Sequence, residues 1–381
     1  MGLFREYDLR GIVGRELTES IAEQVGRAYC TYVKNRGVKR ISVGRDGRLS
    51  SPGLHKALVR GLLAGGLDVV DIGICPSPLV YFSLFQLPID GGIMITGSHN
   101  AAEYNGFKIC IGKEAIHGEE IQALRAVIEA GSFVSGTGRL SEHPIIPDYL
   151  AYIKKSFAHV DATRLHIVID CGNGVAALVA KQALELLGCT VTGLYCDLDG
   201  RFPNHHPDPT VLENLDDLIA AVKEHNADAG IGYDGDADRI GTVDEQGNVL
   251  WGDRLLVVYA RDILAAKPGG TIISEVKSSQ NLYDDIAKRG GRPIMWKTGH
   301  SLIKTKMKSE QAVLAGEMSG HMFFADRYFG YDDAIYASCR LLEILAKTTR
   351  SLSSLVADLP KTTVTPEIRV DVSDSIKFEL V

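Results

Sequence analysis

A chain of 381 residues is long enough for two to four domains at roughly 100–200 residues each, and its apolar (45%) and charged (23%) fractions are those of a protein with ample core. A net charge of −7 excludes a general nucleic-acid binder, which would carry a basic stripe, but leaves room for an anionic ligand held by locally gathered cations. No apolar run approaches the length of a membrane span, and Met1-Gly2-Leu3-Phe4-Arg5 lacks the charged-then-apolar pattern of a signal peptide.

The seven cysteines, Cys30, Cys75, Cys110, Cys171, Cys189, Cys196 and Cys339, form no C-x-x-C pair and no zinc spacing. An odd number in apolar surroundings suits reduced, buried thiols, so a soluble cytoplasmic protein is expected. A monomer with a small-molecule substrate, and neither nucleic acid nor membrane as partner, is the simplest expectation.

Along the chain, strand and helix signals alternate. Ile21, Val25, Ala28, Tyr29, Tyr32 and Val33 share one helical face, with Ser20-x-x-Glu23 as its expected capping box. Ile41–Gly44 reads as a strand entering the polar loop Arg45-Asp46-Gly47-Arg48. A helix from about Ser51 leads to the strand Val69–Ile72. Pro76 and Pro78 are expected to interrupt the chain. Gly91-Gly92-Ile93-Met94-Ile95 then runs, as a buried strand, into the glycine turn Thr96-Gly97-Ser98-His99-Asn100, and a second short strand returns through Asn105–Ile109.

The same order of elements recurs twice. His166–Asp170 is a strand, followed by the turn Cys171–Gly174 and a helix to about Leu187. Thr190–Leu194 is a strand, and a helix carrying Leu212, Leu215, Ile219 and Val222 leads to the strand Ala229–Tyr233. Thr271–Ser274, a helix near Asn281–Lys288, Pro293–Trp296 and Ala312–Gly316 make the third round. Such alternation implies a mostly parallel sheet in each block. After residue 360, Glu367–Val372 alternates strictly, as a half-wet antiparallel strand would. The chain therefore reads as the start of a fourth domain.

Three stretches carry chemistry. Ser98, on a rigid turn beside His99 and close to Lys108, is a candidate covalent nucleophile. The same residues could also do no more than satisfy backbone groups in a hairpin-like loop. Asp234-Gly235-Asp236-Ala237-Asp238-Arg239 places three carboxylates at alternate positions, able to converge on a hard divalent cation. An EF-hand would put its twelfth-position glutamate at Glu245, but Arg239 stands where that loop demands glycine and the flanks read as strands. A solvated acidic turn is the plainer alternative. Gly316-Glu317-Met318-Ser319-Gly320-His321 offers donors and acceptors suited to sugar hydroxyls, although an ordinary turn reads equally well. Arg10, Arg45, Arg48, Lys277, Lys297 and His300 are candidate phosphate-facing groups, against a default of scattered surface charge.

These three motifs in this order resemble the α-D-phosphohexomutases, the bacterial phosphomannomutase/phosphoglucomutase branch above all. The resemblance extends through Arg5-Glu6-Tyr7-Asp8-Leu9-Arg10-Gly11, Gly44-Arg45-Asp46, Asp199–Pro207 and Lys297-Thr298-Gly299-His300, and so covers essentially the whole chain. It implies three similar mixed α/β domains around a central cleft, at residues 1–146, 147–249 and 250–362, with 363–381 as the incomplete beginning of a smaller α+β fourth domain. It implies that Ser98 carries a phosphoryl group, that Asp234, Asp236 and Asp238 bind Mg²⁺ with the phosphoserine oxygen, and that Arg239 contacts that phosphate. Tyr7, Arg10, Lys277, His300, Glu317, Met318, Ser319, Gly320 and His321 then line the substrate site, Met318 pointing to dual mannose and glucose use.

The expected reaction interconverts hexose 1- and 6-phosphates through a hexose 1,6-bisphosphate. Lys108 is its favoured proton-transfer group and His99 an orienting partner. A Mg²⁺-dependent sugar-phosphate phosphatase and a non-catalytic sugar-phosphate binder are the rivals. Two departures stand out: Ala101 follows Asn100 where the family has proline, and nothing matches the fourth-domain loop that grips the distal phosphate. Lower mutase activity is the expected consequence of the second.

Overall fold

The computed structural model of the chain describes residues 2–361, so the strand expected at Glu367–Val372 and the fourth domain lie outside the described residues. Three sheets follow one another. The first contains β1 (Leu9–Ile12), β2 (Arg40–Arg45), β3 (Asp68–Ile74), β4 (Gly91–Ile95), β5 (Tyr104–Ile111), β6 (Glu114–Ala115) and β7 (Leu140–Glu142), in spatial order β1-β5-β4-β2-β3-β7 with β6 beside β5. The second holds β8 (His166–Asp170), β9 (Thr190–Leu194), β10 (Ala229–Tyr233), β11 (Ile240–Asp244) and β12 (Val249–Leu250), ordered β12-β11-β10-β8-β9. The third, β13 (Thr271–Glu275), β14 (Arg292–Trp296), β15 (Leu314–Gly316) and β16 (Met322–Phe324), is ordered β14-β13-β15-β16.

Strands joined by helices run parallel, as the alternation predicts. Each sheet also contains a short reversal that the alternation does not reveal: β4 to β5, β10 to β11 and β15 to β16 are antiparallel neighbours. The sheets are therefore mixed. Their three short connections, 96–103, 234–239 and 317–321, are equivalent places in three repeated units, and they are the three chemical motifs.

The helices are α1 (Glu19–Val33), α2 (Ser51–Ala64), α3 (Ser77–Gln86), α4 (Glu119–Ala130), α5 (Ile146–Ser156), α6 (Ala180–Glu185), α7 (Asp216–Glu224), α8 (Gly252–Ala266), α9 (Gln280–Lys288), α10 (His300–Glu310) and α11 (Ala334–Ala346). None is long and apolar enough to cross a membrane. Two sequence expectations need correcting here. The cap of α1 is Thr18, whose hydroxyl accepts from Ile21 N at 3.3 Å, so Ser20 lies inside the helix. Pro76 and Pro78 do not interrupt the chain but begin α3, since proline in a first turn gives up only an N–H that has no helical partner.

That helix matters for the assembly of the whole. It is buried from Ser77 through Leu84, because it lies between the first sheet and the two later domains. Phe82 packs edge-on against Tyr149 of α5, at 5.3 Å between centroids, and Phe85 stacks on Phe329 at 4.4 Å. One apolar cluster runs from Val70 and Ile72 through α3 to Ile169, Ile231 and Phe324, joining the three sheets. Each large apolar side chain buried there stabilises the assembly by roughly 1.5–3 kcal/mol.

Candidate active site

At the serine loop the backbone is held in a conformation that serine does not favour. Ser98 has φ +50, a left-handed geometry costing an L-residue about 1–2 kcal/mol. What holds it there is Arg48. Its side chain is fully buried, and Nε donates to Asp46 Oδ2 at 3.1 Å. Nη2 donates to the carbonyls of Ser98 (2.8 Å) and Asn100 (2.6 Å), and Nη1 to those of Ala101 (2.5 Å) and Tyr104 (3.0 Å). One guanidinium thus ties three carbonyls of the loop to that of Tyr104 at the start of β5, using the rigid fork that lysine lacks. Asp46 closes the clamp by accepting from Gly97 N at 3.2 Å. Arg48, grouped in the sequence with ligand-facing cations, is instead the internal brace of the loop.

The hydroxyl of Ser98 lies 3.1 Å from His99 Nδ1 and donates to Asp234 Oδ2 at 3.2 Å. This meeting of domains is close. A Cβ added to Gly235 would stand 2.5 Å from the Ser98 carbonyl, so only glycine allows the acidic loop to approach. Asp234, Asp236 and Asp238 are all completely buried, and a ligand atom from each lies within 4.8 Å of the others.

Three carboxylates cannot all ionise so near one another without cations. Burial, then the neighbouring Asp236 and Asp238, pushes the Asp234 carboxyl well above its usual range. Burial would raise Asp236 too, but the Lys108 ammonium and Ser77 overcome it and hold it low. Lys108 Nζ bonds Asp236 Oδ2 at 2.6 Å and also Asp238 Oδ2. Burial would lower its pKa, and the aspartates more than offset this, so it stays an ammonium. Asp236 Oδ1 and Asp238 Oδ1 remain buried with no hydrogen-bond partner. An all-oxygen donor set with orphaned oxygens fits a hard divalent cation such as Mg²⁺.

Around this centre, Arg10 reaches Asn100 Oδ1 at 2.5 Å and also pairs with Asp8. Burial, followed by the charges of Arg239 and Arg10, drives His99 far below its ordinary pKa, so its imidazole is neutral. Arg239 N donates to Asp234 Oδ1 at 3.1 Å, and its Nε donates to His321 Nε2 at 3.1 Å. The third loop is thereby joined to the second, and Ile240 N adds a bond to Gly320 O at 3.0 Å.

Glu317 is buried and accepts from Gly299 N at 2.6 Å; desolvation raises its pKa. Gly299 has φ +132, and a Cβ there would meet the Tyr7 ring at 2.8 Å. Tyr7 OH donates to Thr298 O at 3.2 Å, and its ring lies edge-on to His300 at 6.1 Å. Met318 N donates to Glu275 Oε1 at 2.7 Å, and Ser319 is half-buried on the same loop.

The structure thus gathers Ser98, His99, Lys108, Asp234, Asp236, Asp238, Arg239 and His321, with Arg10 at their edge. Tyr7, His300, Glu317, Met318, Ser319 and Gly320 group around the third loop. Lys277 stays exposed, its Nζ 3.8 Å from Glu275 Oε2, and Lys297 is exposed as well. Sequence reading missed Ser77, which bonds Asp236, and Glu275, which braces Thr298 and Met318. Glu275 left one signal: a carboxylate ending a buried apolar strand, where α/β sheets place ligand-facing groups.

Comparison with known proteins agrees with this geometry. Residues 1–135, 147–247 and 251–363 match the family models for phosphoglucomutase/phosphomannomutase alpha/beta/alpha domains I, II and III. A phosphomannomutase/phosphoglucomutase of Pseudomonas aeruginosa is 48% identical over 379 residues, covering 100% of this chain and 81% of its own length. A phosphoglucomutase of Neisseria gonorrhoeae is 44% identical over 375 residues, with 98% and 81% covered. The crystal structure of a phosphoglucomutase/phosphomannomutase family protein from Burkholderia thailandensis superposes with a TM-score of 0.91 at 43% identity, over 96% of this chain and 81% of that one. Three sheets with a motif at each equivalent reversal, and identity of this extent along the whole chain, place the protein in the phosphoglucomutase/phosphomannomutase family.

Proposed function

We propose that this chain is a phosphohexomutase that interconverts the 1- and 6-phosphates of mannose and glucose, with Ser98 as the phosphoryl carrier. The observation carrying the reading is the Ser98 hydroxyl set 3.2 Å from Asp234, in a buried aspartate triplet with two unpartnered oxygens. Asp234, Asp236 and Asp238 would hold Mg²⁺, completed by an oxygen of the phosphoserine. Bound there, the ion neutralises charge on the phosphoryl oxygens. In each half-reaction a bond forms between phosphorus and one hydroxyl oxygen while the bond to the other breaks. The attacking hydroxyl loses a proton and the departing oxygen gains one.

Neutral His99 orients the Ser98 oxygen. Lys108, once released from Asp236 and Asp238, exchanges the proton, and Arg10 and Arg239 face the phosphoryl group. Glu317, with Ser319 and Met318, reads the sugar hydroxyls, while Tyr7, Lys277, His300, Gly320 and His321 complete the wall. A hexose 1,6-bisphosphate is the intermediate and activator. The division at 1–146, 147–249 and 250–362 belongs to the same reading, and one motif on each sheet supports it. A cytoplasmic monomer fits too, and the free state of all seven thiols supports that location.

The test is intact mass after incubation with glucose 1,6-bisphosphate and Mg²⁺. The chain should gain one phosphoryl group that is lost on adding glucose 1-phosphate, and Ser98→Ala should gain none. Continued release of inorganic phosphate, with no glucose 6-phosphate formed beyond that left when the bisphosphate phosphorylates Ser98, would turn the reading into a phosphatase. Normal turnover by Ser98→Ala would end it.

A further inference from the structure

One buried carboxylate next to the site has no role in that reaction. Asp332 lies between β16 and α11, one residue before Asp333, which caps α11 by accepting from Tyr336 N. Asp332 is completely buried. Its Oδ1 accepts from Lys304 Nζ of α10 at 2.9 Å. Its Oδ2 faces His321 Nδ1 at 3.1 Å and His300 Nδ1 at 3.8 Å, and the two imidazoles stack at 5.5 Å. Asp238 Oδ1 approaches the same His321 Nδ1 at 3.5 Å. Asp332 Oδ2, Asp238 Oδ1 and both Nδ1 atoms have no hydrogen-bond partner, so the 3.1 Å approach of Asp332 to His321 is a close polar contact off hydrogen-bond alignment.

On the far side of the ring, His321 Nε2 accepts from Arg239 Nε. A neutral imidazole that accepts at Nε2 carries its proton at Nδ1, and a carboxylate there fixes both tautomer and ring orientation. Asp332, His321 and Arg239 therefore form a chain from the third domain to the arginine beside Asp234 and His99. We propose that Asp332 is a positioning residue for phosphoryl transfer: it holds His321 so that Arg239 is braced at the Ser98 site. This rests on the mutase reading. A second divalent cation among Asp238, His321 and Asp332 is the competing explanation. Asp332 has its own cation in Lys304, and the Mn²⁺ measurement below decides between the two.

The test is single-turnover phosphorylation of Ser98 in the 381-residue chain by glucose 1,6-bisphosphate with Mg²⁺, followed by intact mass. Asp332→Asn should lower the maximal rate about 10- to 100-fold, the usual cost of losing such a supporting partner, with half-saturation nearly unchanged. Because this variant leaves Lys304 unpaired, Lys304→Met/Asp332→Asn is the second arm. It should recover folding stability without recovering the rate. His321→Asn/Asp332→Asn should be no slower than the slower single variant, since both act through one link. A wild-type rate in Asp332→Asn, recovery in the Lys304→Met pair, or effects that multiply would overturn the proposal. So would a second Mn²⁺ bound by the wild type and absent from Asp332→Asn. A wild-type chain that accepts no phosphate overturns the mutase reading itself, and this arm tells the two failures apart.

Discussion

Two buried clusters of charge in this molecule are built on opposite terms. On α11, Arg340 and Glu343 are almost wholly buried, and both oxygens of Glu343 and of Asp326 are matched, with Arg340 Nε alone left without a hydrogen-bond partner. Glu343 receives both Nη atoms of Arg327, at 3.0 and 2.6 Å, and His159 at 2.8 Å. Asp326 receives Arg340 at 3.0 Å and Lys267 at 2.6 Å. Burial would raise Glu343, but its bonds to Arg327, His159 and Lys347 pull it down to about 2. At the serine site, three aspartates share one lysine, two of their oxygens are orphaned, and the Asp234 carboxyl is forced upward. Charge placed for stability is neutralised within the protein. Charge placed for chemistry is left incomplete, awaiting ion and substrate.

Paired substitutions would break this contrast if it is wrong. The largest expected effect is Asp234→Asn, at the carboxyl that burial and its like-charged neighbours push upward, which should cut Ser98 phosphorylation by about a thousandfold, the scale of losing one electrostatic stabiliser. Its chemical-denaturation midpoint should stay close to wild type, because it relieves a like-charge cluster. A large fall in that midpoint would make the aspartates structural. Glu343→Gln should do the reverse. Breaking a buried pair on one side costs about 3–5 kcal/mol of folding stability, while phosphoryl transfer measured well below the melting temperature should be retained.

The pH dependence sharpens the same point. Glu343 is depressed from 4.5 to about 2, so its contribution is present above the unfolded value and lost as pH falls through the folded one. The stability gap between wild type and Glu343→Gln, read from urea unfolding, should therefore close between those values. A gap independent of pH would show that the carboxylate charge is not what matters. The smallest effect is expected at the third loop. Glu317→Gln should weaken binding of mannose and glucose phosphates by roughly 1.5–3 kcal/mol, the worth of a charged hydrogen bond, as measured by calorimetry. Unchanged affinity for both sugars would remove Glu317 from the binding site.

Much of this site was legible because its chemistry is local. Asp234, Asp236 and Asp238 lie within five consecutive residues, and Ser98 with its glycine turn within five more, so the spacing alone carries the message. Lys108 was legible through the strand that returns beside β4, where it pairs across from Met94. Arg48 was visible but misread: a cation in a glycine-bearing loop looks the same from sequence whether it faces a ligand or four carbonyls. Pro76 and Pro78 were misread for a related reason. A proline that ends one element and a proline that starts the next look alike until the packing of the neighbouring residues is known.

The sequence by itself determined the three-fold repetition of α/β units and the content of each chemical loop, because hydrophobic periodicity and short-range spacing are properties of consecutive residues. Only the tertiary structure decided that the loops sit at equivalent antiparallel reversals, that Ser98 meets Asp234 across 136 residues, and that Asp332 stands behind His321. The physical reason is that a buried charge is defined by its partners. Those partners come from distant segments that touch only after three apolar sheets have packed around α3.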